Sequence, residues 1–202
     1  MSCGTVWLCC GVLRNEMEEL VRRGKIGGEL LFLDSMLHMD PLKLEERVAA
    51  ALERLCETSD TIVLVYGDCG AHLLDLVRKY RIGRVPVINC AQLLVGRARY
   101  RRLMQEGAFL VLPEWALRWE QIMKSELGLN RSVAQDLMGE HRGVLVYLDT
   151  GIVQVPQRQL QAFSSYTGLP WRVEAVDLDV MLESLLAARA ESLTENSARE
   201  QI

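Results

Sequence analysis

No apolar run in this 202-residue chain approaches the roughly 18 residues that a membrane-spanning helix needs. Neither sign of charge dominates, the formal balance being −4, so there is no electrostatic ground for nucleic-acid or membrane-surface binding. No GxGxxG follows a strand-like segment, and P-loop and GxSxG patterns are also missing. Dinucleotide binding is therefore not indicated. The opening residues, MSCGTVWLCCGVL, are apolar but have no basic start; they read as a first strand rather than a signal peptide, and a cytoplasmic location is expected. There is no low-complexity linker, no strong internal repeat and no CxxC spacing among the cysteines.

What is present is an ordinary globular balance, half apolar and a quarter charged, enough for one α/β domain or two small lobes. The most informative stretch is Thr61 to Gly70, TIVLVYGDCG. Its first residues are β-branched, aliphatic or aromatic without alternation, as in a strand buried on both faces. The strand ends in Gly67-Asp68-Cys69-Gly70, and a helical pattern begins at Ala71. Further strands are expected at Val6–Cys10, Glu29–Leu33, Arg84–Asn89, Ala108–Leu112, Gly143–Leu148 and Trp171–Val176. Helical patterns fall between them, with Asn15 as a cap for the first and a last helix over Leu178–Arg189. Strands alternating with helices imply a mostly parallel sheet with right-handed crossovers, an α/β fold of Rossmann-like type. The expected division is a lobe at 1–106, a second lobe or continuation of the same sheet at 107–189, and a flexible tail at 190–202.

In such a sheet the loops at the carboxyl ends of the strands emerge at one edge. Cys10, His38, Cys69 and Cys90 each follow one of the first four expected strands. Adjacent strands lie about 4.8 Å apart, so the three cysteines would span roughly 10 Å before their loops bend inward. Cys₃His is an accepted zinc set, with His38 as fourth ligand or as a nearby acid-base group, whereas an iron–sulfur cluster tolerates a wider triangle. Both remain open. Asp34, Asp40 and Asp68 share the edge, and Asp68 and His38 are the candidates for acid-base work. Cys9 should face away from Cys10 into the core, Cys3 and Cys56 read as structural, and His72 and His141 read as surface and loop. Arg97, Arg99, Arg101 and Arg102, with Tyr100 among them, are a dense basic cluster: a solvated helix face, or an anion site for a phosphate-bearing ligand or acidic partner. Trp115 and Trp119, at helical spacing, suggest packing between lobes.

The segments CCGVLRNEMEEL, LDSMLHMDPLKLEE, VLVYGDCG, NCAQLLVG with Tyr100, and FLVLPEWA resemble, in this order, the uncharacterised family called domain of unknown function 1638. The likeness is good over Trp7–Trp119 and looser beyond. The family pattern maps onto Cys10-Gly11, Leu37-His38, Cys69-Gly70 and Cys90; Asn89 replaces the usual aspartate, and Glu114 stands where glycine usually precedes the tryptophan. Its members are often encoded near corrinoid-dependent methyltransferases, so the resemblance implies an accessory role in corrinoid or one-carbon methyl transfer, with a corrinoid protein or methyltransferase as partner. The chain has no DxHxxG run, so a corrinoid would be recognised in another way or carried by that partner. The expectation is a metal-binding accessory protein or enzyme of such metabolism; the rivals are an iron–sulfur redox protein, a non-catalytic chaperone of a corrinoid methyltransferase, and a small-molecule-binding lobe in which the thiols only line a pocket.

Overall fold

The computed structural model describes residues 4–59 and 61–199, with side chains to residue 194. Cys3 and residues 200–202 lie outside that range. The described residues form two compact units, one of those up to 94 together with those from 178 onward, the other of residues 95–177. The division at Val95 comes some way before the 104–107 region where the hydrophobic pattern changes character. No described helix is long and apolar enough to cross a membrane.

The first unit carries β1 (Thr5–Cys10), α1 (Arg14–Arg22), β2 (Glu29–Leu33), α2 (Pro41–Leu55), β3 (Thr61–Val65), α3 (Leu73–Tyr80) and β4 (Gly83–Arg84). The strands are parallel in the order β2-β1-β3-β4. Strands β1 and β3, apolar after an initial threonine, are buried along their whole length, which is what their unalternating sequences require of central strands. Helix α2 starts at Pro41, with Asp40 accepting a bond from the Lys43 amide, and turns Leu44, Val48, Ala51 and Leu52 to the core. Asn15 does not cap α1; the chain enters that helix through a 3-10 turn, Gly11–Leu13, and Asn15 lies inside it.

Two further differences from the sequence pattern matter. RVPVIN is not a strand beyond Arg84. Pro86 has no amide to donate to a ladder, and the Val87 amide turns back to the Val85 carbonyl at 3.0 Å. The last helix, α8, spans Asp179–Arg199 and passes well beyond Arg189. Its polar stretch is helical because one face remains engaged: Ser192 is fully buried and donates to the Ile62 carbonyl on β3 at 3.1 Å. The helix backbone runs so close to β4 that a Cβ on Gly83 would lie 2.0 Å from the Ala188 carbonyl oxygen.

Helix α4 (Cys90–Gln105) breaks at Gly96, whose φ of 75° is non-helical. The second unit then carries β5 (Ala108–Val111), α5 (Pro113–Glu120), α6 (Arg131–His141), β6 (Val144–Asp149), α7 (Gln157–Thr167) and β7 (Trp171–Ala175). Its strands are parallel in the order β5-β6-β7. Trp119 stacks on Phe163 with ring centroids 5.2 Å apart and belongs to this unit's own core with Leu145, Tyr147 and Leu160. Trp115 lines a small apolar cavity of the same unit with Phe109 and Met123. His141 closes α6 instead of sitting in a loop, and is exposed.

Candidate functional site

Three cysteine-bearing junctions of the first unit converge, for reasons that are local. Cys10 ends β1, Cys69 lies in the turn after β3, and Cys90 opens α4. The register pairs Cys9 with Val65, so one step further along the ladder Cys10 stands beside Tyr66. After Arg84 the chain leaves the sheet and folds across the end of β3. There the Asp68 amide donates to the Ile88 carbonyl at 2.9 Å, and Gly67 is pressed so tightly that a Cβ would lie 2.4 Å from Asn89 Cα. Only glycine fits there. The fold-back carries Cys90 over the end of β3 to Cys10. A full strand over Arg84–Asn89 would have carried it about four residues, roughly 13 Å, past the level of Cys10 along the sheet direction.

Asn89 sets the orientation of Cys90: its Oδ1 accepts from the Gln92 amide at 2.9 Å, while Gln92 Oε1 accepts from the Ile88 amide at 3.0 Å. This reciprocal box needs only a carbonyl-type oxygen at position 89, so asparagine serves where the family pattern has aspartate.

The Cys90 thiol hydrogen-bonds Cys10, and that bond together with burial holds Cys90 well above the ordinary thiol range. Burial, then the neighbouring Cys10, push the Cys69 thiol up to about 11; the Gly67 main chain and Arg84 pull the other way. The Gly67 main chain acts on both Cys69 and Cys90. Burial, followed by Cys10, Cys90, Cys9 and Cys69, raises the Tyr66 phenol far above its usual range. Its side chain is 2% exposed, and its hydroxyl has no hydrogen-bond partner among the described residues. None of the five described cysteines is in a disulfide. Cys9 donates to the Trp7 carbonyl at 3.3 Å and is core. Cys56 caps α2 at the surface.

Arg84 braces this arrangement, and the sequence did not single it out. Its side chain is 8% exposed; it donates to the Tyr66 carbonyl at 3.2 Å and the Val87 carbonyl at 3.3 Å, and it pairs with Asp68. One guanidinium thus ties the turn bearing Cys69 to the segment leading to Cys90. Asp68 is engaged in that strut, which suits a supporting role better than that of a general base. The same turn is held from α2, where Glu45 Oε1 accepts from the His72 amide at 2.8 Å. The His72 ring is exposed and faces Asp75 at 3.2 Å.

His38 lies in a 3-10 turn, Ser35–Met39, after the edge strand β2. Its ring is exposed but desolvated enough on one side to lower its basicity, and burial is the cause of that shift. Asp34 and Asp40 cap the two ends of that turn region through the Met36 and Lys43 amides. Among the described residues, no three His, Cys, Asp or Glu side chains stand ready-placed to hold a metal ion.

Of the basic cluster in the second unit, Arg99 grips Glu174 at 2.6 Å and the Ala175 carbonyl at 2.8 Å, and Arg102 faces Glu174 and Glu106. Arg97 and Arg101 are exposed.

A family model described as a protein of unknown function, DUF1638, matches residues 32–186. The chain belongs to that family. The DUF1638 match takes in His38, Cys69 and Cys90, runs through the second unit to α8, and begins after Cys10. It therefore covers the carboxyl-terminal part more fully, and the first strand less fully, than the motif-by-motif likeness. No curated protein matches the chain.

Proposed function

We propose that this member of the DUF1638 family binds a thiophilic metal, zinc in the first instance, through Cys10, Cys69 and Cys90, as an accessory component of corrinoid-linked methyl transfer. The observation that carries the metal reading is the meeting of thiols from separate βα junctions at one sheet edge, with Cys90 bonded directly to Cys10 and Cys69 acting on both. Soft thiolates select soft or borderline metals, and a metal replaces the thiol protons that keep these groups neutral in the metal-free fold. Cys69 sits on a turn and is only partly buried, so it is the ligand that moves to close the set. A zinc with an open position would lower the pKa of a bound nucleophile such as a thiol, the chemistry required to receive or pass on a methyl group. The corrinoid partner rests on the family resemblance alone.

A second reading keeps the same thiols and changes the group they hold. No three donor groups among the described residues are set for a single ion, and an iron–sulfur cluster held by the same three thiols is the alternative ligand of that cysteine set.

Elemental analysis of anaerobically prepared protein, beside a folded Cys10/Cys69/Cys90→Ser triple variant, tests both readings. About one metal site per chain is expected in the wild type and none in the variant. Equal metal in both ends the proposal. Brown protein with acid-labile sulfide selects the cluster over zinc.

A further inference from the structure

The sheet of the second unit ends in two edge strands of unlike character. Strand β5 is buried except at Phe109, whereas β7 leaves Val173 and Ala175 exposed. Val173 is 41% exposed, an apolar residue in the middle of an edge strand that has no lysine or proline to blunt it. The ladder to β6 fixes which main-chain groups face out. The Leu145 amide donates to the Pro170 carbonyl at 2.8 Å, and the Val176 amide to the Asp149 carbonyl at 2.7 Å. In that register Arg172 and Glu174 turn their main-chain groups toward β6, and Trp171, Val173 and Ala175 turn theirs outward. The Ala175 carbonyl shows the outward direction, because it accepts from Arg99 at 2.8 Å instead of from β6. The amide and carbonyl of Val173 meet no partner among the described residues.

We propose that β7 pairs antiparallel with β7 of a second copy of this chain, about a two-fold axis at Val173, so that the two sheets become one. The two valines exchange amide-to-carbonyl bonds, and Trp171 of each copy does the same with Ala175 of the other. Charge selects both the occupant and the register. With the axis at Val173, Arg172 of each copy stands opposite Glu174 of the other. An axis at Arg172 or at Glu174 would set like charges directly across from each other. Within one chain the two side chains are already paired at 2.5 Å, which holds both beside the strand. On the other face Val173 meets its own counterpart, a β-branched pair suited to a pleated surface. None of these residues belongs to the thiol site.

Sedimentation of full-length protein with reductant present, from about 1 µM to 1 mM, tests the pairing. Amide hydrogen exchange followed residue by residue by NMR accompanies it. Wild type should dimerise with a dissociation constant on the order of 10–100 µM, as befits so small an interface. Across that transition the Trp171, Val173 and Ala175 amides should exchange roughly tenfold more slowly. Those of Arg172 and Glu174, already in the β6 ladder, should not change. Val173→Lys sets like charges together at the axis from an exposed position. It should weaken the dimer roughly tenfold or more and leave thermal unfolding in dilute solution as it is. Wild type that stays monomeric throughout, a dimer that Val173→Lys leaves equally tight, or a dimer whose slowed amides lie elsewhere would each overturn the proposal. The exchange measurement needs no variant, so it decides even if Val173→Lys fails to fold.

Discussion

At the scale of single residues, the site is governed by groups whose polar atoms are out of balance. Tyr66 carries a buried hydroxyl with no acceptor among the described residues. Removing that hydroxyl should stabilise the metal-free protein: Tyr66→Phe is expected to gain about 1 kcal/mol in urea unfolding. A loss of similar size would mean that the hydroxyl is satisfied in solution. Arg84 is the opposite case, a covered guanidinium with three separate acceptors. Arg84→Met keeps the length but strands Asp68 and two carbonyls, and should cost roughly 2–4 kcal/mol. It should also weaken metal uptake, because the Cys69 turn loses its tie to the Cys90 segment. Unchanged unfolding and metal content in Arg84→Met would show that the turn is held by other means. The thiols themselves were legible in the sequence as residues at strand ends. Arg84 was not, because an arginine in a short β-like segment looks like any solvated charge until the loop around it is seen to close.

At the scale of elements, the strand ending at Val65 and the helices with clear apolar stripes follow from pattern alone, because burial on both faces or on one face leaves a direct trace in residue order. The RVPVIN segment shows where pattern misleads. Its valines and isoleucine have strand propensity, but Pro86 breaks the ladder and the following residues instead close over Gly67. That departure brings Cys90 to Cys10. Capping at Asn89 then fixes the helix that carries Cys90. Asn89→Asp should therefore be nearly neutral for stability, whereas Asn89→Ala should cost about 1 kcal/mol by chemical denaturation. An Asn89→Ala variant as stable as wild type would mean that the box contributes nothing.

At the scale of the whole molecule, each unit has its own parallel sheet, and the chain returns to the first unit after completing the second. Helix α8 seals the β3–β4 side, with Ser192 bonded to β3 and the Ala188 carbonyl close upon Gly83. Gly83→Ala should be strongly destabilising in thermal unfolding, since backbone rather than a flexible side chain occupies the space. In the second unit, Glu174 is the hub of an ion-pair group with Arg99, Arg102 and Arg172. Desolvation raises its pKa, but hydrogen bonds from Arg99 and Arg172 and their charges outweigh this and leave the carboxyl below the ordinary range. A depressed folded-state pKa gives stability that is present above the unfolded value, near 4.5, and is lost as pH falls through the folded value. Unfolding of wild type should accordingly lose more stability between pH 6 and pH 3 than Glu174→Gln loses over the same interval. Equal losses would place the acid sensitivity elsewhere. The same pairing shows why the arginine cluster was ambiguous in sequence: Arg99 and Arg102 look free for an anion until Glu174, some seventy residues on, is brought beside them.

Residue order by itself determined the α/β class, the alternation of strands and helices, and the placement of thiols at the carboxyl ends of strands. These are local consequences of hydrophobic period, turn chemistry and strand direction. Tertiary structure alone decided that Cys90 crosses the end of β3 to reach Cys10, that Arg84 ties the crossing segments together, that α8 persists past Arg189, and that the Tyr66 hydroxyl is buried beside the thiols without an acceptor among the described residues. Each of those depends on which distant backbone segments come close enough to exclude a Cβ, bury a guanidinium or remove a hydroxyl from water, and no local pattern encodes that proximity.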